Sequence, residues 1–150
     1  MSHQHLQTLL DEQVPLVRAM GVKIKQYGPE GLLLTAPLER NVNHRGTAFA
    51  GSLATLATLA GWALTMLRVE AMGMHPEVVV AHSTIDYLAP VRTDIEALCA
   101  MPDKAAAEKL QRALQRKGIG RWTLAARIPA TGAMSVEFTG TYAITLQRGL

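Results

Sequence analysis

The stretch Asn41–Arg68, NVNHRGTAFAGSLATLATLAGWALTMLR, holds twenty-two consecutive residues, Gly46 to Leu67, without a charge. A run of that length serves as a membrane span, as the spine of a soluble core, or as a helix whose first turn does chemistry. About twenty apolar residues suffice to cross a bilayer, and Arg45 and Arg68 flank the run. Thr47, Ser52, Thr55, Thr58 and Thr65, with Gly51 and Gly61, dilute its hydrophobicity, and everything downstream patterns as soluble strands. No membrane span is therefore expected. On a helical wheel Leu53, Leu56, Leu59, Ala60, Leu64 and Leu67 share one face, and Gly51, Ala54, Thr55, Thr58, Gly61, Trp62 and Thr65 share the other. A helix that is apolar or small all round is a buried helix. Each Leu contributes roughly 1.5–3 kcal/mol on full burial. The small face admits close neighbours, and its hydroxyls can bond back to carbonyls one turn earlier.

Alternation shows what surrounds this helix. From Met134 to Leu146 the apolar residues Met134, Val136, Phe138, Tyr142, Ile144 and Leu146 alternate with Ser135, Glu137, Thr139, Thr141 and Thr145, as a strand with one face on a core requires. Residues 119–129 alternate through Trp122, Leu124, Ala126 and Ile128, and Ala130-Thr131-Gly132 joins the two strands as a hairpin. Residues 77–88 form a long strand rich in β-branched residues before Pro90, and 94–101 form a fourth. Residues 22–27 and 31–36 flank Tyr27-Gly-Pro-Glu-Gly31 as a first hairpin. Helices are predicted at 4–19 and at 103–117, the latter opened by Pro102-Asp103 and closed by Gly118. The order is helix, two strands, long buried helix, then four strands with one helix inserted before the last pair. An antiparallel sheet of about six strands curled around one long helix is the economical way to cover it. That α+β architecture is the hotdog fold.

Composition excludes other classes. The 150 residues suit one domain with a single core. The lone Cys99 forms no internal disulfide, and residues 1–15 lack the basic start and apolar centre of a secretory signal, so a cytoplasmic protein is expected. The charge of +3 is scattered and aromatics make up only 5%, which argues against nucleic acid as a partner. His3, His5 and His75 lack paired ligand spacing and no Cys-His pattern occurs, so no metal is expected.

The string Asn43-His-Arg-Gly-Thr-Ala-Phe-Ala-Gly-Ser-Leu53, with Leu59-Ala-Gly-Trp62, Tyr87-Leu-Ala-Pro-Val91 and Phe138-Thr-Gly-Thr-Tyr142, resembles the thioesterase domain family found at the C-terminus of YiiD-type proteins. The resemblance covers nearly the whole chain. It implies a homodimer or homotetramer and an acyl-coenzyme A or acyl-carrier thioester as substrate, with no cofactor beyond the coenzyme A moiety of that substrate. The acetyltransferase domain that some such proteins carry is not expected in a chain of this length.

Hydrolysing a thioester needs oxyanion donors, a placed water with a group to orient or deprotonate it, and a channel for the acyl chain. The unpaired amides at the start of the long helix, around Phe49, Ala50 and Gly51, can supply the donors. Gly51 permits close backbone approach. The bland alternative makes Asn43 and Thr47 turn and capping residues and Gly51 a packing contact. In hotdog thioesterases of the phenylacetyl-coenzyme A type, an Asn is followed six residues later by His-Gly-Gly and, nine after the His, by a catalytic Asp. Counting from Asn43 puts Phe49 at the His and Thr58 at the Asp, so the carboxylate is missing. Asp86, just before Tyr87, is the replacement to test as base, against its reading as a solvent-facing strand residue.

The candidate catalytic residues are thus Asn43, Gly51, Thr58 and Asp86. The substrate-binding candidates are His44, Gly46, Thr47, Phe49, Ser52, Ser83 and Tyr87, with His82 and Ser83 on opposite strand faces so that at most one reaches the helix. Lys104, Lys109, Arg112, Arg116, Lys117 and Arg121 could meet coenzyme A phosphates, though a solvated helix face explains them equally well. The leading expectation is an acyl-thioester hydrolase with its site between subunits. The alternative is a non-catalytic acyl-thioester or lipid-binding protein of the same fold. A dehydratase would need a His–carboxylate pair near the buried helix, and none is evident.

Overall fold

The structure, a computed structural model, describes residues 1–147. Two short helices, α1 (His3–Gln13) and α2 (Pro15–Met20), precede the hairpin β1 (Lys23–Gly28) and β2 (Gly31–Ala36). A single 3₁₀ turn at Leu38–Arg40 leads into the long helix α3 (Ala50–Ala71). Then come β3 (Pro76–Tyr87), β4 (Ile95–Ala100), α4 (Lys104–Lys117), β5 (Ile119–Ala130) and β6 (Ala133–Leu146). The strands form one sheet in the order β1-β2-β4-β5-β6-β3, every neighbouring pair antiparallel.

The uncharged run is the axis of this arrangement. Leu53, Leu56, Ala57, Ala60, Gly61 and most residues from Ala63 to Val69 of α3 are buried, and α3 packs against β2, β3, β4, β5 and β6. Although α3 is long and apolar enough to cross a membrane, over half of its most apolar window, 56%, is covered by the rest of the protein. Its small face works as a contact surface. A Cβ added at Gly61 would overlap the ring of Tyr142, whose hydroxyl donates to the Thr58 carbonyl at 2.7 Å. Thr65 donates back to the Gly61 carbonyl at 2.8 Å and accepts from the Trp122 indole at 2.9 Å. Thr55 donates to the Gly51 carbonyl at 2.8 Å.

One element departs from expectation. The single helix predicted over 4–19 is two helices broken at Val14. Pro15 brings no N–H and disfavours helical geometry in the residue before it. Val14 accordingly leaves the helix at φ −122°, ψ 88°, and α2 restarts with Pro15 in its first turn. The break lets both pieces lie against the core, where Leu6, Leu10, Val17 and Met20 are buried. At the other hairpin, Thr131-Gly132 forms the two-residue turn with Gly132 at φ +72°. Asp103 caps α4 by accepting from the Ala106 amide at 2.7 Å, and Gly118 ends it in the left-handed conformation.

β3 lies at the edge of the sheet, and a bulge at Ala81 divides it. Val78 and Val80 stand opposite Ile144 and Tyr142, which face α3. Past the bulge the parity reverses. Ser83, Ile85 and Tyr87 stand opposite Gly140, Phe138 and Val136 and share the helix side, whereas His82, Thr84 and Asp86 stand opposite Thr141, Thr139 and Glu137 on the outer side. Ser135, expected to face solvent, is buried instead, and its hydroxyl donates to the Ala89 carbonyl just beyond the end of β3.

Candidate active site

The loop before α3 is held by its own polar groups. Asn43 Oδ1 accepts from the Arg45 amide at 2.8 Å and the Thr47 amide at 3.2 Å, and its Nδ2 donates to Thr47 Oγ1 at 2.8 Å. Both acceptor positions of the side-chain oxygen are therefore occupied within the loop, and one amide hydrogen remains free for another acceptor. Gly46 sits at φ +80°, and its amide donates to the Asn43 carbonyl at 3.2 Å. Main-chain bonds from Ala48 to Val91 (2.8 Å) and from Phe49 to Asn41 (2.7 Å) tie the loop to the connection between β3 and β4 and to its own start. His44 is exposed and stands clear of this network.

Thr47 is buried as the loop's internal acceptor, and the N-cap of α3 is Phe49, whose apolar side chain cannot cap it. The amides of Ala50, Gly51 and Ser52 have no acceptor among the described residues. These are the orphan donors every helix start leaves, here at the positive end of twenty-two aligned peptides. The Phe49 ring folds over Gly51, where a Cβ would strike it, and is 56% exposed. The close approach expected at Gly51 is thus made by Phe49 itself, a side chain free to swing away because little else covers it.

From Gly51 a stripe at helical spacing runs through Ala54, Thr55, Thr58 and Trp62. Leu10, Val14, Leu16 and Val17 of the N-terminal helices and Val80 of β3 face it, and together they line an open cavity of about 520 Å³. That size falls within the ~300–1,000 Å³ usual for small-molecule sites. Thr55 and Thr58 supply its hydroxyl groups, and the Thr55 hydroxyl is taken by the Gly51 carbonyl. Among the described residues no carboxylate or imidazole lines it. Trp62, at its far end, donates to the Val78 carbonyl at 2.9 Å.

The remaining candidates divide by strand face. Ser83 and Tyr87 lie on the helix side of β3, both exposed, in line with Val80. Asp86 lies on the outer side opposite Glu137, so the sheet separates its carboxylate from Thr58 and from the start of α3. The protein fold brings Gly51, Ser52, Phe49 and the Asn43 loop to one end of α3, and Thr58 to the cavity two turns along. It does not bring Asp86 to either within the chain. Among the described residues no cluster of three or more His, Cys, Asp or Glu could hold a metal.

Residues 3–146 match the family described as "Putative thioesterase (yiiD_Cterm)". The chain belongs to that family. Solved structures agree in fold. A protein of unknown function from Chlorobaculum tepidum TLS is 32% identical with a TM-score of 0.93, the match covering 97% of this chain and 94% of that one. A protein described as a "putative thioesterase" from Shewanella oneidensis is 27% identical with a TM-score of 0.86, covering 97% of each chain. One from Pseudomonas aeruginosa, of unknown function and described as a probable thioesterase, is 22% identical with a TM-score of 0.80, covering 98% of this chain and 97% of that one. The curled sheet around α3 is the hotdog fold of these thioesterases.

Two groups of residues in this family member escaped the sequence reading. Asn41 is buried, and its Nδ2 donates to the Met20 carbonyl at 2.9 Å and the Pro37 carbonyl at 2.8 Å, tying the loop before α3 to α2. Asn43, two residues on, opens the family string, whereas Asn41 lies outside it. The cavity wall formed by Leu10, Val14, Leu16 and Val17 was also missed. The apolar spacing of these residues was visible, but which side of α3 they would cover was not.

Proposed function

We propose that this protein hydrolyses acyl thioesters whose acyl arm is aliphatic. In this reading the chain lies in the cavity beside α3 and the thioester carbonyl accepts from the free amides at Gly51 and Ser52. The observation that carries it is the stripe from Gly51 to Trp62: uncapped amides begin the helix whose next turns line an apolar cavity. Donors preorganised at a helix start favour the negative charge of a tetrahedral intermediate over the neutral carbonyl, so they act on the barrier. Phe49 would swing aside or stack on the pantetheine arm. Asn43 keeps the loop in shape and directs its remaining amide hydrogen toward the attacking water, whose proton leaves with the departing thiolate, and Thr58, two turns further along α3, offers a hydroxyl to water in the channel. Thr47, Gly46 and His44 shape and border the entrance.

Activity is proposed to require a second copy of the chain. β3 is an edge strand twelve residues long, and Val79, Val80 and Tyr87 stand exposed along it. Edge-to-edge pairing of two copies through β3 would cover that surface and enclose Ser83, Tyr87 and Phe49 between subunits. We take the assembly to be a homodimer or a homotetramer, acting in the cytoplasm on acyl-coenzyme A or an acyl carrier. Light scattering at micromolar concentration tests the assembly, and a monomer would sink it.

A second reading has its own observation. Among the described residues no group able to take a proton from water lines the cavity, which fits a protein that binds acyl thioesters or lipids without cleaving them. Thiol release measured across acyl-coenzyme A chain lengths decides between the two. The hydrolase reading expects turnover that rises with chain length until the cavity is full, and Asn43→Ala should lower kcat at least tenfold while changing the affinity for a non-hydrolysable analogue much less. Binding of the analogue with no thiol released from any chain would leave the binding protein.

A further inference from the structure

The far end of the sheet carries a second groove. β4 pairs with β5 only at Leu98–Arg127 and Cys99–Ala126 before the chain leaves for α4. Ile119–Leu124 of β5 therefore has β6 on one side, from the Ile119–Thr145 pair to the Leu124–Gly140 pair, and among the described residues no strand on the other. Alternate residues of such an edge present unpaired N–H and C=O groups sideways. No side chain of α4 hydrogen-bonds to this edge among the described residues. Instead α4 lies alongside, with Leu110 and Leu114 packed against Gly120. Between them is a groove of about 600 Å³, with Leu110, Ala113 and Trp122 on its apolar side and Lys109, Lys117 and Arg121 around it. None of these three cations is in an ion pair among the described residues.

We propose that this groove binds an extended acidic peptide segment of a partner protein by adding it as a strand to β5. Strand addition supplies main-chain hydrogen bonds, and alternate side chains go to opposite faces. One set would meet the apolar flank of α4. The other would project on the outer side, where Arg121 and Thr123 lie, so acidic residues at every second position meet Arg121, while Lys109 and Lys117 of α4 add positive charge along the groove. The groove is remote from the proposed thioester site: Ile119 pairs with Thr145 next to Leu146–Pro76, near the C-terminal end of α3, whereas the Asn43 loop is bound to Val91 beyond the opposite end of β3.

The test uses the full chain and a fluorescently labelled, terminally blocked eight-residue peptide alternating Glu and Val, followed by anisotropy at low salt. Saturable binding is expected, with at least a tenfold loss in the double variant Lys117→Glu, Arg121→Glu whose circular dichroism matches the wild type. A version of the peptide N-methylated on its pairing edge should bind at least tenfold more weakly. Absence of saturable binding would overturn the proposal. Equal binding of the N-methylated peptide would also do so, since charge alone would then suffice, as would displacement of the peptide by ATP, which would mark a nucleotide site.

Discussion

The two halves of α3 are made of similar residues and do different work. From Ala60 to Val69 all but Trp62 and Arg68 are buried, and the small face is filled: Tyr142 occupies the space Gly61 leaves, and Thr65 joins the Gly61 carbonyl to the Trp122 indole. From Ala50 to Leu59 the small face is open. Ala54, Thr55, Thr58 and Leu59 border a cavity, and the first amides have no partner. A glycine–threonine face can thus seat a core aromatic or receive a ligand, and the difference is whether a strand residue arrives to fill it. Val80 is the last residue of β3 to reach α3 before the bulge turns the strand over.

The largest effect that should separate the halves is Gly61→Leu. The added side chain must displace Tyr142 from a closed core, and overpacking of this kind costs roughly 1–3 kcal/mol or more. A fall in thermal midpoint of many degrees is expected, and an unchanged midpoint would show that the closed half is not closed. Next comes alkaline pH. Burial raises the Cys99 thiol from 9.0 to about 12, and burial followed by the nearby Cys99 raises Tyr142 in the same direction. Both groups stay protonated in the folded state after their unfolded counterparts ionise, so the folded state binds more protons above pH 9.0. Stability is therefore unaffected by these groups below that pH and falls above it, by about 1.4 kcal/mol per pH unit for each proton held. Denaturant melts at pH 8 and 11 measure the loss, and Cys99→Ala should reduce its slope.

A paired experiment compares threonine with threonine. Thr65→Val leaves the Trp122 indole without an acceptor in the interior and should cost about 1–3 kcal/mol. Thr58→Val has no such partner to strand and should stay within about 0.5 kcal/mol of the wild type. If Thr58 orients the attacking water, its variant loses thiol release while keeping its melting curve. Equal destabilisation by the two would erase the distinction between the halves.

Most of the fold could be read from local patterns because each strand alternates over a core face and each turn carries its own residues, as at Thr131-Gly132. The uncharged run identified α3, and its hydroxyls identified the small face. What could not be read depends on contacts between distant segments. The break at Val14 is written in Pro15, yet an apolar spacing that continued on both sides concealed it. The cavity exists because α1 and α2 fold back over Thr58, and no local pattern in residues 1–20 names that partner. The division of Asn41 from Asn43, one buried under α2 and the other spent inside its own loop, likewise required the neighbours.

The smallest predicted effect bears on the face of β3. Uninterrupted alternation from the buried Val78 would carry Val80, His82, Thr84 and Asp86 together to the helix side, whereas the extra residue at Ala81 sends the last three to the outer side and puts Ser83 and Tyr87 toward α3. Asp86 then faces Glu137 across the sheet, and like charges directly opposite are unfavourable by a few tenths of a kcal/mol, up to about 1. Asp86→Asn should accordingly leave thiol release within about twofold and raise the thermal midpoint slightly, because removing one of two facing carboxylates relieves their repulsion. A loss of turnover by a hundredfold in this variant, with the midpoint unchanged, would instead make Asp86 the missing base. It would also require β3 to present its outer face to the substrate, against the parity the bulge sets.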